Sequence, residues 1–127
     1  MALDILLVDD DRDFADLLAG SLRAEGHRVC VARDATSALA RASELEPHVV
    51  VLDIGLPGVN GNELAQSLRR RLADATPIIV ITSRPQAQFL EDVDLILNKP
   101  IQAELVGGLI EYVRRRRQTT RLVGAPR

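Results

Sequence analysis

The strongest constraint on this chain is a four-residue apolar run that recurs with no polar residue inside it. Ile5 to Val8, Val49 to Leu52 and Ile78 to Ile81 all have this form. A strand with one face in water alternates apolar and polar residues, whereas a strand covered on both faces does not. Each run therefore predicts a strand sandwiched between two layers. Segments of helical period lie between them. Phe14, Leu17, Leu18, Ser21 and Leu22 fall at i, i+3, i+4, i+7 and i+8, and Gly26 then supplies a C-terminal cap. Val29 to Ala32 reads as a further strand. Ala35, Leu39 and Ala42 mark a helix that ends before Pro47. Asn62 is expected to cap a third helix carrying Leu64, Ala65, Leu68 and Leu72. Leu95 to Leu97 reads as a fifth strand. A last helix is expected from about Gln102 to Arg116, with Leu105, Leu109, Tyr112 and Val113 facing inward. Five strands separated by helical segments predict an α/β fold, a doubly wound parallel sheet with helices on both faces.

Composition closes off several classes of function. At 127 residues the length suits one domain, and 46% hydrophobic with 27% charged residues suits a globule. Phe14, Phe89 and Tyr112 are the only aromatics, too few for a base-stacking platform. A single cysteine, Cys30, allows neither an intrachain disulfide nor a thiolate zinc cluster. The start MALDILLVDDD has no basic segment, so it does not read as a secretory signal. No apolar run approaches the roughly 20 residues that span a bilayer. The expected setting is cytoplasmic, with no membrane contact. Residues 112 to 127 hold six arginines and no acid, against an acidic remainder, so a short basic tail is expected over 118–127. The composition argues against nucleic acid as a partner of such a domain alone. His27 and His48 read as packing or surface residues.

The polar residues are placed unevenly. Asp9, Asp10 and Asp11 follow the first strand, Asp53 the third, Thr82 and Ser83 the fourth, and Lys99 the fifth. In an open parallel sheet the carboxyl ends of the strands share one rim, where ligands bind. Two carboxylates about 4 Å apart repel by roughly 4 kcal/mol at an effective dielectric of 20. Acids gathered there call for a cation, and oxygen-only ligands favour a hard one such as Mg²⁺. Asp53 beside such an ion could act as a nucleophile toward phosphorus. Lys99 could meet a phosphoryl oxygen. It is the only lysine, in a chain with 15 arginines. An isolated Asp after a strand more often caps the next helix, and Asp11 is read that way.

Taken together, ILLVDDD, VVVLDIGLPGVNG, IIVITS and LNKPI give the chain a specific likeness. Over about residues 3 to 116 it resembles the receiver domain of two-component response regulators. The resemblance implies the flavodoxin-like, CheY-like strand order 2-1-3-4-5 and a receiver domain over residues 1–117. It implies that Asp53 is the phosphoacceptor and that Asp9 and Asp10 are the acidic pair holding Mg²⁺ with Asp53 and the Gly55 carbonyl. Thr82 would be the switch hydroxyl and Lys99 the phosphate-binding lysine. The implied reaction is phosphoryl transfer onto Asp53 from a sensor histidine kinase or histidine phosphotransfer protein. A conformational shift then signals to a downstream protein, with the chain a monomer or weak homodimer and no turnover enzyme.

Two departures stand out. Ile96 occupies the position three before the lysine, where receivers usually carry an aromatic. The span from Thr82 to Lys99 is short for the family, which predicts a shortened or irregular fourth helix and a non-standard output face. Arg84, two residues past the switch hydroxyl, could screen the phosphoryl group from water. Two other functions compete: a receiver portion of a longer DNA-binding or enzymatic regulator, and a small Mg²⁺-dependent aspartyl-phosphate phosphohydrolase. The second would need a cap over its substrate, and no insertion here is long enough.

Overall fold

A computed structural model describes residues 2–55, 58, 60–83 and 93–122, with side chains to residue 117. The elements in chain order are β1 (Asp4–Val8), α1 (Arg12–Ala24), β2 (Arg28–Ala32), α2 (Ala35–Leu45), β3 (Val49–Leu52), α3 (Gly61–Arg71), β4 (Ile78–Thr82), β5 (Leu95–Asn98) and α4 (Ala103–Leu122). The five strands form one parallel sheet in the order β2-β1-β3-β4-β5. The expected short helix between β4 and β5 falls in 84–92, outside the described residues, as does Arg84. Among the described residues no helix is long and apolar enough to cross a membrane.

The apolar runs are buried on both faces, as their lack of alternation requires. Leu6, Val8, Val50, Leu52, Ile78 and Val80 pack against α2 and α3. Their neighbours Ile5, Leu7, Val49, Val51, Ile79 and Ile81 pack against α1 and α4. The pleat sends successive side chains to opposite sides, so one run serves two cores. At the edge of the sheet, β5 is only half-buried, and its Ile96 faces the α2/α3 core.

Local signals end the helices. Asp11 caps α1 by accepting the Phe14 N–H at 3.2 Å. At the other end Gly26 takes φ 98°, and the N–H groups of Gly26 and His27 return to the carbonyls of Arg23 and Leu22. The cap of α3 is Asn60 and not Asn62. The Asn60 side chain accepts from the N–H groups of Asn62 and Glu63, which puts Asn62 inside the first turn. Between the two asparagines, Gly61 lies so close to Ile54 that an added Cβ would sit 2.6 Å from the Ile54 Cβ. Gly61→Ala is therefore expected to cost about 1–3 kcal/mol through overpacking. A urea melt checks it: the midpoint should fall at constant slope, and an unmoved midpoint would show that Ile54 gives way freely.

The last helix differs from expectation in two ways. It continues to Leu122, past Arg116, because no Gly or Pro follows Arg116 before Gly124. Its inward face is Ala103, Val106, Ile110 and Val113, whereas Leu105 and Tyr112 point to solvent. Both series have helical spacing, so periodicity alone could not choose between them. The entry through Ile101, which packs on the α1/α4 core, sets the rotation. In α1 the same selection buries Ala15, Leu18, Ala19 and Leu22 and leaves Leu17 outside. The two histidines clasp the start of β1. His27 Nδ1 accepts the Leu3 N–H at 3.1 Å, and His48 Nδ1 accepts the Asp4 N–H at 2.8 Å. Each ring therefore carries its proton on Nε2.

Candidate functional site

The sheet ladder carries the key residues to one rim. Beyond the last paired residues, Asp9 N–H donates to the Ala32 carbonyl, Asp53 N–H to Val8 and Lys99 N–H to Thr82, at 3.0, 2.8 and 2.8 Å. Residues 44 and 46 positions apart in sequence are thereby set side by side at the carboxyl ends of β1, β3 and β5.

Two short turns then aim the carboxylates. Asp9 Oδ1 accepts the N–H of Asp11 at 2.9 Å, and Asp53 Oδ1 accepts the N–H of Gly55 at 2.8 Å. In both, a side chain bonds to the main chain two residues on. Each acid is left with Oδ2, and both Oδ2 atoms face the Lys99 ammonium, at 3.2 Å from Asp9 and 3.4 Å from Asp53. The three side chains are only 2%, 11% and 18% exposed for Asp9, Asp53 and Lys99. The ring of Phe14, from the first turn of α1, lies 4.7 Å from the Lys99 nitrogen and adds a cation–π contact. Asp10 is exposed, yet one carboxylate oxygen each from Asp9, Asp10 and Asp53 lies within 4.8 Å of the other two. Thr82 is fully buried at the end of β4, paired in register with Asn98.

Burial and charge set the protonation of this group. Burial pushes the Asp9 carboxyl up to about 6. The Asp53 charge adds to the rise, against the Asp11 N–H and Lys99, which oppose it. Burial works to lower Lys99, but the Asp9 and Asp53 carboxylates outweigh it and hold the ammonium above its ordinary value. Three carboxylates against one ammonium leave a formal excess of two negative charges. An all-oxygen donor set with that excess fits a hard divalent cation.

The structure thus brings together Asp9, Asp10, Asp53 and Lys99, with Gly55 contributing a main-chain N–H and Thr82 one strand away. Sequence reasoning assigned Phe14 only to the helix core. Its place in the first turn after the acidic loop was the available signal for contact with the rim. The aiming N–H groups of Asp11 and Gly55 carried no side-chain signal at all.

Comparison with known proteins agrees with this geometry. The family model described as response regulator receiver domain matches residues 5–110. The transcriptional regulatory protein AfsQ1 of Streptomyces coelicolor is 33% identical over 122 residues, 88% of this chain and 51% of that protein. The DNA-binding response regulator MtrA of Mycobacterium tuberculosis is 40% identical over 94 residues, 73% of this chain and 38% of that protein. The chain thus spans about half or less of these curated relatives. Among solved structures, NtrX from Brucella abortus superposes with a TM-score of 0.85 at 32% identity, covering 97% of this chain and 30% of that one. A CheY-like receiver domain protein from Methanospirillum hungatei shares the fold at a TM-score of 0.84 and 23% identity, covering 94% of this chain and 98% of that one. With a family match over most of its length and a sheet wound in the CheY-like order, this chain belongs to the receiver domains of two-component response regulators.

Proposed function

We propose that Asp53 accepts a phosphoryl group from the phosphohistidine of a sensor histidine kinase or histidine phosphotransfer protein, in a reaction that requires Mg²⁺. The convergence of Asp9 Oδ2 and Asp53 Oδ2 on Lys99 carries this reading, because it poises a carboxylate beside a fixed cation. An Asp53 oxygen attacks phosphorus, the P–N bond breaks, and the imidazole leaves with the electron pair and takes up a proton. Water later hydrolyses the acyl phosphate to aspartate and inorganic phosphate. Lys99 neutralises charge on the transferring oxygens. Asp9, Asp10, Asp53 and the Gly55 carbonyl would hold Mg²⁺, which supplies further charge neutralisation and orients the phosphoryl oxygens. Thr82 is the switch hydroxyl, drawn toward the phosphoryl group, and that shift reaches a downstream protein. With Ile96 replacing the aromatic of the family, the output coupling takes a non-standard route. The unit works as a phosphoacceptor over residues 1–117, with a basic 118–127 segment after it, in a cytoplasmic setting. The relatives' DNA-binding and transcriptional names, and their greater length, favour a second reading, in which the chain is the receiver portion of a longer regulator. The length of the native reading frame decides between them.

Labelling from acetyl phosphate tests the proposal. Label is expected with Mg²⁺ and not with a chelator. A wild-type chain that stays unlabelled in Mg²⁺ is no phosphoacceptor.

The Asp9 carboxyl adds a pH dependence. Its folded value, about 6, lies above the ordinary 3.8, so folding favours the protonated form. Its contribution to metal-free stability is complete below about pH 4 and is lost as pH rises through about 6. Metal binding needs the ionised form, so Mg²⁺ affinity is expected to climb through the same window. Calorimetric titration from about pH 5 to about pH 7 should show the rise in wild type and lose it in Asp9→Asn. A flat wild-type profile counts against Asp9 as a ligand.

A further inference from the structure

At the far end of the sheet, where β3 and β4 begin, lies a cavity of about 400 Å³. This is within the usual range for small-molecule sites. It is separated from the acidic rim by the length of β3, roughly 13 Å for four residues. Arg71 at the end of α3 and Arg114 and Arg117 on α4 line it, with Glu46 the only carboxylate on its wall among the described residues.

The three guanidiniums are not equivalent. Arg117 is committed: its Nε donates to Asp94 Oδ1 at 2.8 Å, and its Nη1 donates to the Asp74 carbonyl. Arg71 has only a long 3.3 Å bond to the Ser43 hydroxyl. Arg114 is half-buried, and among the described residues it has no hydrogen-bond or ion-pair partner. Cations near a helix C-terminus ordinarily answer the helix dipole, and Arg71 sits in such a last turn. Arg114 does not: α4 continues eight residues beyond it to Leu122, and the dipole acts only within the final turn. With no ion-pair partner among the described residues and no helix end to answer it, the Arg114 guanidinium on this concave wall is available to an external anion.

We propose that this cavity binds a phosphate ester. Arg114, which has no partner among the described residues, together with Arg71, held by one long bond to Ser43, matches a dianion better than a monocarboxylate, and the guanidinium fork fits phosphate oxygens. Leu72 and Pro77 on the same wall are both buried apolar residues that can take the ester's apolar body.

The experiment is a titration of the full chain with inorganic phosphate and with phenyl phosphate, at constant ionic strength with a chelator present, followed by amide NMR. Saturable shifts are expected at Ala73, Thr76 and Arg114, with phenyl phosphate the tighter ligand. Arg71→Ala, at an exposed position, and Arg114→Gln, which keeps part of the side chain, should each weaken binding by about tenfold or more. Asp53→Asn should bind as wild type, and Arg114→Gln should still label from acetyl phosphate as wild type does. Shifts that stay linear with concentration, that persist in both arginine variants, or that centre on Asp9 and Asp53 would overturn the site. Phenyl phosphate binding no tighter than inorganic phosphate would overturn the ester assignment.

Discussion

Asp53→Asn takes up no label from acetyl phosphate in Mg²⁺, a loss of more than about a thousandfold relative to wild type. An amide nitrogen is not a nucleophile at neutral pH, and the amide oxygen carries no full charge toward a metal or a phosphoryl group. The fold survives, because the amide oxygen can still accept the Gly55 N–H that Asp53 Oδ1 accepts at 2.8 Å. One of three crowded acids is also neutralised, so the metal-free melting temperature stays level or rises. The same substitution lowers the Asp9 pKa, since the Asp53 charge is one of the forces raising it. Two readouts therefore accompany one change: loss of label, and a downward shift of Asp9 in an NMR titration. If Asp53→Asn labels as wild type does, another acid on the rim is the acceptor, and the family membership stands without this site.

Lys99→Arg slows labelling by about a hundredfold, the effect of losing one well-placed donor to a developing charge. Charge is conserved in this variant, so any loss is geometric. The lysine nitrogen is a compact charge at 3.2 and 3.4 Å from the two Oδ2 atoms and 4.7 Å from the Phe14 ring centre. A longer, planar, forked guanidinium cannot occupy that point. Lys99→Ala loses the charge as well and pushes Asp9 further up, because Lys99 opposes its rise. The initial rate of labelling is the measurement. A Lys99→Arg rate within about threefold of wild type would mean that any cation suffices there.

Much of this site was legible before the structure. Asp9, Asp53, Thr82 and Lys99 stand directly after or at the end of apolar runs, and a parallel sheet gathers such positions at one rim. That inference needs only the strand ends, which the runs mark. The cap expected at Asn62 and the inward faces expected of Leu105 and Tyr112 depart from the structure for one shared reason. Adjacent candidates satisfied the same local rule, and the choice was made by contacts with other elements. Gly61 against Ile54 sets where α3 starts, and Ile101 against the α1/α4 core sets how α4 is turned.

The protein's class was written in the chain itself. Strand period, helix period and the identity of the residue after each strand are local properties, and together they select a doubly wound sheet with acids and one lysine at its rim. Distances belong to another level. The 3.2 and 3.4 Å contacts of Lys99, the Oδ2 atoms left free by the turns at Asp11 and Gly55, and Phe14 beneath the ammonium exist only once β1, β3, β5 and α1 are packed. Arg114 was first legible as one of a basic run. Only the continuation of α4 to Leu122 and the cavity beside it separate that guanidinium from its neighbours. Sequence patterns report which face a residue prefers; burial, charge and hydrogen-bond geometry come from neighbours far along the chain, and those are chosen by packing.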